Sequence, residues 1–320
     1  MNEKRLGVTM GDSSGVGPEI LLKAAKAGLI PEPYVVYGDL AVLTHANEKF
    51  ALGLDIAPTA DSRPGRVNVI DAALMTADDL TPARMNAKSG MAAREYVIRA
   101  TKAALAREID GFVTLPMNKE ATQLTDPDFT GHTELIGELC GSDDVTIMLA
   151  SDDLIATHVS THCSLKEAIA RCKRERIQRI IELTWHAARR LKPGARVAVA
   201  GLNPHAGENG LFGMEEIEEI APAVEWARAQ GWDVDGPHPP DTLFYMAVRR
   251  KRFDAVVCMY HDQGHIPSKL LDFEGGVNIA LGLPIVRTSV DHGTAFDIAW
   301  KGIASVQSFD SAIKMAMRLM

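Results

Sequence analysis

Leu6-Gly7-Val8-Thr9-Met10 is a short β-rich run, and after Gly11-Asp12-Ser13-Ser14-Gly15-Val16-Gly17 the periodicity turns helical from Pro18 to Ala27. Tyr34 to Tyr37 followed by Leu40 to Phe50 repeats the switch. Short buried strands that each hand over to an amphipathic helix across a Gly- or Pro-marked joint indicate a parallel α/β protein, because helices must cover the faces of such a sheet. Extended along the chain, the pattern predicts a helix from Ala92 to Arg107 and strands at Phe112 to Leu115, Val145 to Leu149 and Leu154 to Val159. One long helix from Leu165 to Leu191 comes next, then a strand at Val197 to Ala200, helices at Glu215 to Ala229 and Thr242 to Arg249, and a strand at Ala255 to Met259.

A chain of 320 residues exceeds what one hydrophobic core usually serves, so two lobes are expected. The Asp-, Pro- and Thr-rich loop from Thr125 to Gly131 marks the break. The expected division is residues 1–125 plus 276–320 as one domain and 126–275 as the other. With 46% hydrophobic and 24% charged residues the composition is that of a globular protein. A net charge of -8 argues against nucleic acid as a partner, and no apolar run approaches membrane-spanning length. Met1 to Met10 holds Lys4 and Arg5 with no apolar stretch behind them, so a cytoplasmic address is expected. Cys140, Cys163, Cys172 and Cys258 form no Cys-x-x-Cys and suit a reducing compartment.

The Gly11–Glu19 loop follows a strand and opens a helix with Pro18 in its first turn, a place where free amides and the helix dipole favour an anion. Its spacing completes neither a dinucleotide fingerprint nor a P-loop, so a ligand-free turn is an equal reading. Three histidines fall at or just after predicted strand ends: His162, His205 and His261. Each alone reads as structural, but loops at strand carboxyl ends converge, and three imidazoles can hold one divalent ion with positions left open. Lys269, Asn278, Arg287 and the pair His132-Thr133 offer donors for a multiply charged substrate. Asp291 to Ala304 reads, by itself, as a Gly-containing turn leading to a helix.

That last segment, His292-Gly293-Thr294-Ala295 with Asp297-Ile298-Ala299-Trp300-Lys301-Gly302-Ile303-Ala304, resembles the adenosine-contacting loop of isocitrate and isopropylmalate dehydrogenases. Together with Val8-Thr9-Met10-Gly11-Asp12, Gly131-His132-Thr133-Glu134, Gly201-Leu202-Asn203-Pro204-His205-Ala206-Gly207-Glu208 and Tyr260-His261-Asp262-Gln263-Gly264, it resembles the 4-hydroxythreonine-4-phosphate dehydrogenase family nearly end to end. The resemblance implies an isocitrate/isopropylmalate-dehydrogenase-like two-domain α/β fold with the active-site cleft between the domains. It also implies NAD or NADP as cofactor and one divalent metal ion on His162, His205 and His261. In that reading His261 comes from the other subunit of a homodimer. His132, Thr133, Lys269, Asn278 and Arg287 fall on substrate positions, and His292, Gly293, Thr294 and Asp297 on cofactor positions.

Lys269, Asp241 and Asp262 are the candidate catalytic residues; for the two aspartates the alternative is structural capping. Imidazole ligands suit Zn, Ni, Co and Mn, and Mg becomes eligible where substrate oxygens dominate. The segment Gly264-His265-Ile266-Pro267-Ser268-Lys269-Leu270-Leu271 resembles the branch that acts on D-threonate and D-erythronate 4-phosphate. Rival readings are the vitamin-B6 enzyme, an aromatic cis-dihydrodiol dehydrogenase, and a non-catalytic metal- or phosphate-binding protein. Two departures from the family pattern stand out: Ser13-Ser14, where Pro-Ala is common, and Trp300, where glycine is common.

Overall fold

The computed structural model describes residues 4–58, 63–142 and 144–320. The chain forms two compact units: Met1–Asp144 with Leu283–Arg318 and Met320, and Val145–Gly282 with Leu319. The division falls after Asp144 and Gly282, whereas the sequence pattern places it after residues 125 and 275. The physical reason is helix packing: the helix that begins at His132, just beyond the Thr125–Gly131 loop, packs on a helix of the first unit.

The first unit begins with β1 (Leu6–Thr9), α1 (Gly17–Lys26), β2 (Tyr34–Gly38), α2 (Leu40–Lys49), β3 (Ile56–Pro58) and β4 (Val67–Asp71). It continues with α3 (Ala87–Leu105), β5 (Gly111–Thr114), α4 (Lys119–Gln123) and α5 (His132–Cys140). The second unit holds β6 (Thr146–Ala150), β7 (Ile155–His158), α6 (Leu165–Arg171), α7 (Arg174–Leu191), β8 (Val197–Ala200), α8 (Ala221–Ala229) and β9 (Val234–His238). It is completed by α9 (Pro240–Val248), β10 (Ala255–Cys258), α10 (His261–Leu271) and β11 (Val277–Leu281). The chain then returns to the first unit with β12 (Val286–Val290) and α11 (Gln307–Leu319).

In the first unit the order β3-β4-β2-β1-β5-β12 is parallel throughout, with Leu6 opposite both Tyr34 and Gly111. Leu6 and Val8 are fully buried, as β1 must be when helices cover both faces. Ile20 of α1, Tyr96 of α3 and Phe309 of α11 are buried with them. All the strand carboxyl ends therefore open on one edge, which is where loops gather functional groups in such sheets.

The second unit departs from the all-parallel expectation. Its order is β11-β6-β7-β10-β8-β9, and β6 pairs antiparallel with both β11 and β7. The turn Ser151-Asp152-Asp153-Leu154 is too short for a crossover, so β6 and β7 form a hairpin. The predicted long helix is two helices, α6 and α7, broken at Cys172 and Lys173. The segment after His292 is not helical: Phe296 to Trp300 form turns, with φ of +44° at Ala295 and +61° at Trp300. Among the described residues no helix is long and apolar enough to cross a membrane.

Candidate functional site

In the first unit the most informative side chain is Arg287, on β12. It is 3% exposed, and its Nε and one terminal nitrogen donate to the Thr114 hydroxyl on neighbouring β5, at 3.2 and 2.6 Å. Among the described residues no carboxylate forms an ion pair with it. Burial pulls the guanidinium down to about 10, offset by the charge of Glu134, so it stays cationic at neutral pH. A buried cation with a single hydroxyl for company is costly unless an anion completes it.

His132 opens α5 nearby, behind Gly131. Burial and the Arg287 charge push it down to about 3, so the ring is neutral at neutral pH. Its Nε2 is shielded from solvent and has no hydrogen-bond partner. Thr133, the second residue of the helix, is half-buried. Arg287, Thr114 and His132 together make a corner with unused hydrogen-bonding capacity suited to phosphate or carboxylate oxygens.

The cofactor-type loop lies in the same unit and is built in two layers. His292, Gly293 and Asp297 are exposed, whereas Ala299 and Trp300 are 4% and 5% exposed. Thr294 is half-buried, and its carbonyl accepts the Val16 amide at 3.1 Å. Gly15 has no room for a β-carbon, which would stand 2.8 Å from the Thr294 side chain. The Trp300 indole donates to the Ser13 carbonyl at 2.8 Å. The buried Glu19 carboxylate accepts the Gly302 and Ala304 amides at 3.1 and 2.7 Å, and Lys23 donates to the carbonyls of the same two residues.

The Gly11–Glu19 loop is thus a buried joint rather than an anion cradle. Its amides at Asp12, Ser14, Gly15 and Val16 all have protein acceptors. The left-handed backbone also explains why Trp300 stands out, since φ near +60° favours glycine. The two departures from the family pattern, Ser13-Ser14 and Trp300, touch each other.

In the second unit His162 and His261 face one pocket of about 380 Å³, lined also by Thr161, Cys163, Tyr260 and Asp262. Their ring centroids are 5.8 Å apart. Asp262 faces His261 Nδ1 at 2.7 Å, which fixes the tautomer and leaves Nε2 for a ligand. Behind them stand His158, which no motif in the sequence singles out, and His265, which the Gly264–Leu271 segment contains without giving it a role. His265 stacks on His261 at 3.6 Å, and its Nδ1 lies 3.2 Å from Nε2 of the fully buried His158. Burial, then the charge of His265, pushes His158 down to about 3.

His205 stands on a turn of its own. Residues His205 to Asn209 all have left-handed φ, from +44° to +79°. Four of them are not glycine, a run of strain that needs external support. Glu216 supplies it: this buried carboxylate accepts the Leu202 and Asn203 amides, both at 2.7 Å, and the Asn203 side chain at 2.9 Å. His205 lies beside Phe212, ring centroids 6.4 Å apart. Among the described residues no three His, Cys, Asp or Glu side chains are grouped closely enough to hold an ion.

Lys269, on α10, is half-buried with its ammonium 5.3 Å from the Phe273 ring. Asn278 is half-buried on β11, and Asp241 is exposed in the first turn of α9. Glu216, Thr114 and His158 carry no signal in the sequence, because their roles rest on partners distant along the chain.

The family model described as pyridoxal phosphate biosynthetic protein PdxA matches residues 30–316. A D-threonate 4-phosphate dehydrogenase of Salmonella typhimurium is 45% identical over all of both chains. A 4-hydroxythreonine-4-phosphate dehydrogenase of Desulforapulum autotrophicum is 43% identical, covering 98% of this chain and 95% of that one. The crystal structure of a 4-hydroxythreonine-4-phosphate dehydrogenase from Klebsiella pneumoniae superposes with a TM-score of 0.89 at 43% identity, over 99% of each chain.

Proposed function

This chain belongs to the PdxA family, and from that premise we propose that it is an NAD(P)-linked, decarboxylating dehydrogenase of a four-carbon 4-phosphorylated hydroxy acid. The substrate is D-threonate or D-erythronate 4-phosphate. Oxidation at C3 sends two electrons and the C3 hydrogen to the nicotinamide ring and the hydroxyl proton to a base. The resulting 3-keto acid has its carboxylate β to the ketone. Loss of carbon dioxide leaves the electron pair on the ketone side, and protonation at C2 gives dihydroxyacetone phosphate.

The observation that carries this reading is the buried Arg287 guanidinium, which has a hydroxyl and no carboxylate for a partner, beside the unpaired Nε2 of His132. An anionic end of the substrate answers that corner, whereas an uncharged aromatic diol does not. Thr133, Lys269 and Asn278 are assigned to the same substrate, and Lys269, Asp241 and Asp262 to proton transfer or orientation. His292, Gly293, Thr294 and Asp297 are assigned to the adenosine end of the dinucleotide, in support of which three of the four are exposed over a buried base.

The donor chemistry of His162 and His261, two imidazoles on one pocket with Asp262 against His261 Nδ1, fits a divalent ion. His205 is assigned as the third ligand; His162 and His261 of one chain line the same pocket, so the expectation that His261 reaches the site from the other subunit has no support in this arrangement. Such an ion would supply Lewis acidity at the reacting hydroxyl. A homodimer that shares this site between subunits is supported by the apolar surface next to His205, where Leu211, Phe212, Met214 and Ile217 are all exposed. We place the protein in the cytoplasm, in keeping with its four free cysteines.

The test is the initial rate of NADH and NADPH formation with a divalent ion, comparing D-threonate 4-phosphate, D-erythronate 4-phosphate and 4-phosphohydroxythreonine. A strong preference for an acid phosphate, with dihydroxyacetone phosphate as product, is expected. Preference for the amino substrate would make this a 4-hydroxythreonine-4-phosphate dehydrogenase, the reading favoured by the second relative. Silence on all three would discard both.

A further inference from the structure

We propose that Trp300 is a positioning residue for the dinucleotide, holding the His292–Asp297 loop in its binding shape by anchoring it to Ser13. The inference rests on the assignment of that loop to the adenosine end. Four observations carry it. Trp300 keeps φ at +61°, a conformation that a side chain with a β-carbon adopts only under constraint. Its ring is buried, with Phe50 and His45 each 5.8 Å away and the Lys49 ammonium 5.8 Å from the ring centroid. The indole N–H meets the Ser13 carbonyl at 2.8 Å, and the surrounding turn is itself fixed by Asp12, whose carboxylate accepts the Ser14 amide and the Ser89 hydroxyl.

The fourth observation is the distribution of anchors. The loop is tied within itself at Thr294 by the Val16 amide, and beyond its end at Gly302 and Ala304 by Glu19 and Lys23. Between these ties the chain carries Ala295 and Trp300 in left-handed backbone, and Trp300 supplies the intervening side-chain anchor. His292 and Gly293, between the Asp291 amide held by the Ser308 hydroxyl at 3.3 Å and the Thr294 tie, and Asp297, between Thr294 and Trp300, are therefore ordered before any ligand arrives. A loop ordered in advance loses little conformational entropy on binding, so removing its anchor should weaken affinity without touching the chemical step.

The experiment compares wild type with Trp300→Gly, Trp300→Phe and His292→Ala, by calorimetric titration of NAD and NADP and by steady-state kinetics. Glycine suits φ +61°, which offsets part of the loss of a buried ring, so Trp300→Gly is expected to fold with a lowered Tm. It is expected to raise the dinucleotide Kd and KM about tenfold, with kcat within about twofold. Trp300→Phe, which keeps bulk and loses the N–H, is expected to raise them about fivefold. The acid-phosphate KM stays unchanged in both.

Unchanged dinucleotide binding in both Trp300 variants, while His292→Ala weakens it, would overturn the inference and leave the loop assignment standing. Unchanged binding in all three would remove the loop assignment and the inference with it. A lowered Tm with an intact dinucleotide KM would mark Trp300 as a packing residue only, which also overturns the proposal.

Discussion

The two units carry their chemistry in opposite conditions. In the first, Arg287 and the ring nitrogen of His132 are shut away from solvent, and the cofactor-type loop is fastened from beneath by Trp300 and Glu19. In the second, His162 and Asp262 are exposed and His261 is half-exposed, with buried histidines only behind them. The devices that restrain strained backbone are reversed too. Trp300 reaches out of its loop to a distant carbonyl, whereas Glu216 reaches from outside into the turn that carries His205. The first unit has met its desolvation cost during folding and offers a preformed anion corner. The second offers imidazole donors that stay in contact with solvent.

The largest effect that bears on this contrast is expected at Arg287. Arg287→Met should lower kcat/KM for the acid phosphate roughly a thousandfold, the usual result of removing one partner of a buried charge pair. Thermal stability should hold or rise, since an incompletely compensated buried cation is replaced by an apolar chain. A fall in Tm with substrate KM intact would show Arg287 to be a structural group, and the two units would no longer differ in kind.

Next comes Glu216. Glu216→Ala strips the acceptor from two backbone amides and one side-chain amide, so urea denaturation should report a loss of about 3 kcal/mol. A loss below about 0.5 kcal/mol would mean that the left-handed turn supports itself.

The last effect, and the most gradual, is a pH slope. His132 is neutral and pushed down to about 3 in the folded protein, against an ordinary value of 6.5. A lowered value means that the unfolded chain binds the proton first, so its contribution to stability is complete above pH 6.5 and is lost as pH falls toward 3. His132→Gln should lessen the decline of unfolding free energy over that window by roughly 1.4 kcal/mol per pH unit. Parallel curves for variant and wild type would show that the ring is protonated in place.

The first unit is also the more legible in sequence. β1, α1, β2 and α2 can be read to within a residue or so, because strand and helix periods alternate there with glycine and proline at each joint. The break between α6 and α7 is invisible, since Cys172 and Lys173 carry neither glycine nor proline. The β6–β7 hairpin has a signal, Ser151-Asp152-Asp153, that the expectation of parallel strands masks. The false helix after His292 arises because Ala295 and Trp300 are helix-compatible by type; the left-handed backbone at Trp300 is held by a contact with a residue nearly three hundred positions away. Candidate residues are legible by type and loop position. Their supports are not, because Thr114, Glu216 and His158 matter only through long-range partners.

The order of the chain sets the order in which the protein can be finished on the ribosome. Every strand of the second unit has been synthesised by Leu281, and that unit is a nearly continuous segment, so it can close as it emerges. The first unit begins the chain and yet lacks β12, which pairs with β5 from Gly111 to Thr114, until Val286–Val290 is made. The half that is translated first is therefore completed last, and in the interval β5 presents an open edge that a nascent chain must keep from pairing with its neighbours.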